Sequence, residues 1–504
     1  MNKSIKNIVF GVLGQIIVIA TGIVLPRLFI LSYGSEVNGM LTSVNNIFTY
    51  IALLEAGVGT ATIQALYGPI AKSQRNDINQ ILSATDLFYK KVGSAYLLAI
   101  VLFAAIYPFC VKSQISKITI VLVILFIGLS NVINFYFQGK FKLLLQAEGK
   151  QYIITNVTTI IHLAVSISKI VLISLGMSVV AITVAQFIFN IVQMIYYSYY
   201  IKKYYKWVHL KVKPNKKAIS QSKNVIVHQV TNLVFNNTDT IILSVFCGFS
   251  AASIYALYNM LFDMISTLLN NINNGFIFKM GQLYNSDKDK FKKYYEPWDM
   301  YFMAISFALY TVLYIFICPF LGLYTKGADI IYVDKWLPIL FMAVKILVSG
   351  RATSGQTASM AGHFKQTQWR SVIEMIINIV ITLVCVNLIG IYGVLIGTIV
   401  ALLYRTNDMI IYNCKHLIER SIWKSYKRWI VDISLFLVIV FVSNNIYIDN
   451  SSYLKLILYV IPFTFIICLL YFIIPSITEP KTFKLVYDMG LGYIKSVFRK
   501  KRSV

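Results

Sequence analysis

Charge is scarce in this chain, and negative charge is scarcer. Only 13% of the 504 residues are charged, and 20 Asp and Glu face 46 Lys and Arg. A soluble chain carries about 25% charged and about 45–50% apolar residues. Here 58% are hydrophobic, with a mean hydropathy of +0.69, which excludes an ordinary cytosolic enzyme. Cysteine is also sparse. Cys110, Cys247, Cys318, Cys385, Cys414 and Cys468 lie mostly in or beside apolar runs, and none forms CxxC. Neither a disulfide framework nor a zinc or other metal site is encoded. No GxxxxGK[ST], HExxH or GxSxG occurs, so ATP does not power the chain directly and no catalytic residues emerge.

What is present is a succession of apolar runs. A spanning helix needs about 20 apolar residues, so fourteen would take about 300. The runs place helices at about 7–32, 38–64, 93–111, 118–137, 152–175, 177–200, 224–247, 251–278, 298–321, 336–361, 371–389, 391–413, 430–448 and 454–475. The first is too long for a signal-peptide core and reads as a spanning helix. The expectation is an all-α polytopic membrane protein of about fourteen transmembrane helices.

The basic residues orient it. With the N-terminus inside, 36 of the 46 Lys and Arg fall on the inner side. Only Lys112, Lys117, Lys326, Lys335 and Lys455 fall outside, and five lie within spans. Short loops obey the positive-inside rule best, so both termini are expected in the cytoplasm. The same rule accounts for the net charge of +26 without a nucleic-acid partner. The longest basic loop, KKYYKWVHLKVKPNKKAISQSK, reads as a cytoplasmic connector that meets anionic membrane lipid. The tail from Lys481 ends RKKR and reads as a basic interfacial helix.

A repeat runs through the chain. Asn45 follows Gly34 by 11 residues, as Asn259 follows Gly248; Gly149 precedes Gly176 by 27, and Gly362 precedes Gly390 by 28. The reading is an N-terminal six-helix lobe (1–200), a connector (201–223), a C-terminal six-helix lobe (224–413), two additional helices (414–475) and a tail (476–504). Parallel repeats of this kind place substrate between the halves.

Charges inside spans are costly, at least about 2.5–3.5 kcal/mol on insertion scales, and face cavities or partners. Five are basic: Arg27, Lys169, Lys345, Arg351 and Arg405. Three are clearly embedded acids: Glu55, Asp239 and Asp263. The cationic balance suits an anionic substrate. Arg27 and Arg351 lead, because Pro26 and Gly350 break their helices. Lys169 and Lys345 have stems long enough to snorkel outward, and Arg405 has Asp408 at i+3. The competing reading of every one of these groups is an internal salt bridge.

Two segments carry a resemblance. Residues 22–66, GIVLPRLFILSYGSEVNGMLTSVNNIFTYIALLEAGVGTATIQAL, resemble the opening of polysaccharide-biosynthesis membrane proteins. These are the oligosaccharide flippases of the multidrug/oligosaccharidyl-lipid/polysaccharide exporter superfamily. AGHFKQTQWRSVIEMIINIV and GIYGVLIGTIVALLYR, within 351–405, resemble its second half. The resemblance implies two six-helix bundles related by a pseudo-two-fold, plus two further helices. It implies alternating access that carries undecaprenyl-diphosphate-linked repeat units from the inner to the outer leaflet of the bacterial plasma membrane, for capsule, O-antigen or teichoic acid. It implies a polymerase and glycosyltransferases as partners. It implies no cofactor, with Glu55, Asp239 or Asp263 as candidates for proton or sodium coupling. The alternatives are a cation-coupled drug exporter of the same superfamily and a membrane glycosyltransferase or polymerase. The longest outer loop, Gly322 to Lys335, leaves little room for an enzyme's catalytic face.

The charge distribution has a direct test. Reporter fusions after residues 210 and 504 are both expected to read cytoplasmic, and opposite readings overturn the topology.

Overall fold

The computed structural model describes residues 3–51, 58–215, 237–446 and 448–488. Sixteen α-helices and no strand occur among the described residues. In order they are α1 (Lys3–Tyr33), α2 (Ser35–Ile51), α3 (Val58–Ala71), α4 (Arg75–Cys110), α5 (Lys117–Ile133), α6 (Gly139–Ala147), α7 (Gln151–Ser174) and α8 (Val179–Tyr204). There follow α9 (Phe249–Ser286), α10 (Lys288–Tyr324), α11 (Leu337–Gly350), α12 (Ala352–Met360), α13 (Phe364–Ile389), α14 (Ile391–Asn413), α15 (Ile422–Ser443) and α16 (Tyr453–Thr478). A further helical stretch covers 237–246. The protein is an all-α, multi-pass membrane protein.

Ten helical segments among the described residues are long and apolar enough to cross a membrane. The remaining expected spans have identifiable reasons for standing apart. The run at 38–64 is interrupted at 52–57, and the run at 224–247 before 237, by residues outside those described. The apolar part of α1 is the short stretch Ile17–Tyr33. Helix α15 starts at Ile422, earlier than the expected 430, and carries Lys424, Lys427, Arg428 and Asp432 in its first half.

Two expected helices are locally irregular. The run 118–137 passes through a π-turn at Asn134–Gln138 before α6 continues it. The run 336–361 breaks at Arg351, which caps α11 and precedes α12.

The repeat-marking glycines share backbone geometry. Gly149 and Gly362 have φ of +72° and +69°. Each closes a helix in the same way: Lys150 N–H donates to Leu145 O at 2.8 Å, and His363 N–H to Ala358 O at 3.0 Å. These are six-to-one helix-ending bonds that need a left-handed residue, which glycine adopts without strain. The partners Gly34 and Gly248 match as well, at +85° and +88°.

The chain divides into two compact units, Met1–Leu257 with Gly327–Ile330, and Tyr258–Lys326 with Ile331–Val504. The first is built on an aromatic and aliphatic core that includes Phe48, Tyr96, Ile100, Ile124, Phe135 and Phe249. The second contains a ring stack: Phe341 lies 5.6 Å from Tyr258 and 5.7 Å from Phe262, and Phe262 lies 6.0 Å from Tyr310. Such pairs contribute about 0.5–1.5 kcal/mol each beyond their burial.

Lipid tails are as apolar as leucine, so helix pairing in a membrane depends on close packing. The α13–α14 hairpin shows this. A β-carbon at Gly393 would lie 2.3 Å from the Cys385 carbonyl oxygen, and one at Gly397 would lie 2.3 Å from Thr382 Oγ1 and 2.7 Å from its backbone nitrogen. The G-x-x-x-G spacing therefore sets the helix separation. Gly397→Ala is expected to cost about 1–3 kcal/mol through overpacking. Thermal unfolding in detergent measures this; an unchanged midpoint removes the packing role.

Candidate functional site

The embedded charges fall into distinct settings. In the first unit, a cavity of about 150 Å³ is walled by α1, α2, α5, α7 and α8. Pro26 of α1 lines it, as do Asn38, Thr42 and Asn45 of α2, Lys169 of α7, and Thr183 and Gln186 of α8. Proline in a helix interior removes one backbone bond and opens the wall of the helix. Lys169 lines this recess, whose wall mixes polar and apolar side chains. Among the described residues it forms no ion pair. Arg27, one residue beyond Pro26, is half-buried and does not line the cavity. Asp239 is buried in the 237–246 stretch and accepts a hydrogen bond from Tyr255 at 2.8 Å. Glu55 lies outside the described residues.

In the second unit, Lys345 of α11 reaches Asp263 of α9 at 2.6 Å and donates to Asn259 Oδ1 at 2.9 Å. Asn259 Nδ2 donates back to Asp263 at 2.7 Å. The three side chains close a ring of hydrogen bonds. Lys345 is thus held by α9, not turned out toward lipid headgroups.

The arginines of this unit form one chain of charge. Arg351 Nη1 donates to Glu374 of α13 at 2.6 Å. Arg405 of α14 lies 3.5 Å from the same carboxylate, donates to Asp408 at 2.9 Å, and donates to Ser371 at 3.0 Å. Arg370 also contacts Asp408. Three guanidinium groups therefore share two carboxylates, leaving the group net cationic. Arg405 engages each of its three nitrogens and its side chain is only 8% exposed. Arg351 engages Nη1 alone and its side chain is 20% exposed. The sequence offers Glu55, Asp239 and Asp263 as partners for Arg351, whose acid is instead Glu374, while the Arg405–Asp408 pair expected from the i, i+3 spacing forms.

One large cluster is missing from the sequence reading. Arg428 of α15 meets Glu296 at 2.7 Å and Asp299 at 2.6 Å on α10, and Glu479 just beyond α16 at 2.7 Å. Arg420 meets Glu296 and Asp299 at 2.8 Å each, and Lys424 meets Glu296 at 2.8 Å. Three bases balance three acids. A signal for it exists: Arg420, Lys424 and Arg428 recur every four residues, and Glu296 and Asp299 are three apart. Lys424 and Arg428 share a face of α15 and Glu296 and Asp299 a face of α10, while Arg420 lies in the short stretch before α15. Their mutual pairing makes this a fastening between α10, α15 and the end of α16, with Arg420 Nε the one nitrogen of the two arginines that is buried without a partner.

The family described as polysaccharide biosynthesis protein matches residues 4–278. No curated protein matches the sequence at a significant level. Among solved structures, the lipid II flippase MurJ in an inward closed conformation is 14% identical, with a TM-score of 0.65 over 94% of this chain and 99% of its own. An inward-facing multidrug resistance MATE family transporter of the MOP superfamily is 13% identical, with a TM-score of 0.65 over 84% of this chain and 99% of its own. The MATE multidrug transporter DinF-BH is 13% identical, with a TM-score of 0.59 over 80% of this chain and 93% of its own. At these identities the likeness establishes a shared fold.

The Arg428 cluster has a pH signature. Burial pushes the Glu479 carboxyl upward, but its hydrogen bond from Arg428 and that cation's charge outweigh burial and hold it below the usual carboxylate range. A depressed folded-state value adds stability that is complete above the unfolded value, about 4.3, and is lost as pH falls through the folded one. Arg428→Ala leaves three carboxylates under-compensated and is expected to cost about 3–5 kcal/mol at neutral pH. For Glu479→Gln, the gap in unfolding midpoint from the parent should shrink as pH falls below about 4. A gap independent of pH assigns the loss to packing.

Proposed function

The chain belongs to the polysaccharide biosynthesis protein family, and on that premise we propose that it is a flippase for lipid-linked oligosaccharide repeat units, moving them from the inner to the outer leaflet of the bacterial plasma membrane. The observation that carries this reading is the family match over 4–278 on a fold shared with a lipid II flippase across 94% of the chain. The polyprenyl tail can remain in the bilayer during such a transfer. The diphosphate and glycan cannot, because each polar group moved through hydrocarbon without a partner costs several kcal/mol. The cationic surplus supports an anionic cargo. Arg351 has donors to spare for a phosphate, and guanidinium binds phosphate oxygens through a paired fork. Arg27 and Lys169 supply positive charge in the first unit; Arg405 and Lys345 hold the surrounding helices.

A drug exporter of the MATE type is the second reading, supported by the fold it shares with this chain. Its cargo is cationic, which calls for accessible acids. Here Asp239 is buried and held by Tyr255, Glu374 is held by two arginines, and Asp263, though half exposed, already has its charge balanced by Lys345. That arrangement supports the anionic cargo instead. A polymerase and glycosyltransferases are its proposed partners, since they supply and consume a lipid-linked glycan. Transport, not sugar transfer, is the proposed activity.

Deletion is expected to leave lipid-linked repeat units at the inner leaflet and abolish the surface polymer; normal polymer with no redundant transporter overturns the function. Arg351→Ala should lower export per inserted molecule about tenfold or more, with partial recovery in Arg351→Lys, which keeps charge and loses the fork. Full export per molecule from an Arg27→Ala, Arg351→Ala double variant overturns the diphosphate role. Export of hydrophobic cations by the purified, reconstituted protein overturns the choice of cargo.

A further inference from the structure

The first compact unit takes in four residues of a distant loop. Gly327–Ile330 lie between α10 and α11, which belong to the second unit, yet they pack with Met1–Leu257. Both carboxylate oxygens of Asp329 accept the Ser35 N–H at 3.0 Å, and Oδ1 also accepts the Ser35 hydroxyl. Ser35 opens α2, so its N–H is a helix-start donor with no carbonyl of the helix in reach. A carboxylate there also meets the positive end of the helix. Gly34 has φ of +85°, and a β-carbon on it would lie 3.1 Å from Asp329 Oδ2. The glycine thus turns the chain and leaves room for the acid.

Three residues beyond Asp329 the same loop is anchored in the second unit. The Tyr258 hydroxyl donates to Tyr332 O at 3.1 Å and accepts the Asp334 N–H at 3.0 Å, and Tyr332 is buried. Three residues of chain reach about 10–11 Å at most. A wider separation of the two anchors therefore requires one of them to yield. They are unequal. Asp329 is an exposed residue between exposed Lys326 and Ile331, and it is held by hydrogen bonds. Contacts with little apolar burial open first.

Both residues fall on the side that the charge distribution reads as outer. Alternating access works by moving one bundle against another, so that one end of the path opens while the other is shut. We propose that Asp329 and Ser35 form an outer latch. Closed, it holds the α10–α11 loop on the start of α2; it opens in the step that exposes the transport path to the outer side. The latch rests on the transport reading above, not on the identity of the cargo.

The test pairs Ser35→Cys with Asp329→Cys in the full-length chain, with its six natural cysteines replaced by alanine. A short, reducible thiol-to-thiol crosslinker is added to whole cells. Export is expected to fall about tenfold or more and to return with reductant, while either single cysteine variant is indifferent to the reagent. The same molecules are compared before and after, so a folding defect cannot mimic the result. Undiminished export from crosslinked protein overturns the latch and leaves the transport reading standing; a pair that does not crosslink overturns the contact. A second arm needs no cargo. Asn45, exposed on α2 about 15 Å along the helix from Ser35, is changed to cysteine and labelled from outside with a membrane-impermeant maleimide. Asp329→Ala is expected to raise that labelling about threefold or more. Equal labelling with and without Asp329 overturns the latch whether or not export is detected, whereas raised labelling without any export counts against the transport reading and supports the latch.

Discussion

A cation inside a membrane helix must be balanced where it stands, and the arrangement of this protein follows from that requirement. Water and salt screen surface charges within about 8–10 Å, but a buried group has only its immediate neighbours. Three settings result. Lys345 and Asp263 balance one to one. The Arg428 cluster balances three to three. The Arg351 group has three cations on two carboxylates. All three lie in the second unit, and among them only the last leaves a surplus. A net +26 over the whole chain is therefore less informative than one unbalanced unit of charge at Arg351.

Much of the fold is legible in the residues because hydrophobic run length responds to a single constraint, the thickness of the bilayer. The turns are legible for a different reason. Gly149 and Gly362 occupy positive φ, which other residues adopt at a cost, so their spacing exposes repeated geometry. Pairing between distant charges has no such local signature. Run length puts Lys140 in an inner loop beyond the span at 118–137, yet it is buried on α6 and pairs with Asp86, 54 residues away. The π-turn at Asn134–Gln138 makes this possible by carrying the helix onward beyond the expected end. Likewise nothing in the sequence near Glu374 announces that Arg351 and Arg405 both converge on it.

The break at Arg351 links these observations to chemistry. Between α11, which ends at Gly350, and α12, which begins at Ala352, Arg351 stays in the right-handed helical region and its carbonyl accepts the Gly355 N–H at 2.8 Å, so the irregularity is local. Gly350 is small for a packing reason: a β-carbon there would lie 2.1 Å from the Trp429 ring of α15. The glycine that lets α15 approach is thus also the residue beside which the helix yields. Packing of an added helix and presentation of a guanidinium depend on the same few atoms.

The two arginines on Glu374 then divide by the donors they retain. A guanidinium has five N–H donors and no acceptor, so every donor not taken by protein is available to water or cargo. Arg405 has each nitrogen engaged, with Glu374, Asp408 and Ser371, in a nearly closed environment. A ligand reaching it would have to displace carboxylates already paired, and the loss of those contacts would offset the gain. Arg351 has one nitrogen engaged and lies at a helix break with more of its side chain exposed. Its bond to Glu374 orients the group, while Arg405 limits how much of the carboxylate's charge is spent on Arg351 alone. An arginine held at one corner and only partly neutralised is suited to bind a diphosphate and release it, since transport requires contacts that are favourable on entry and weak enough for exit. Arg405 makes that condition possible without making the contact itself.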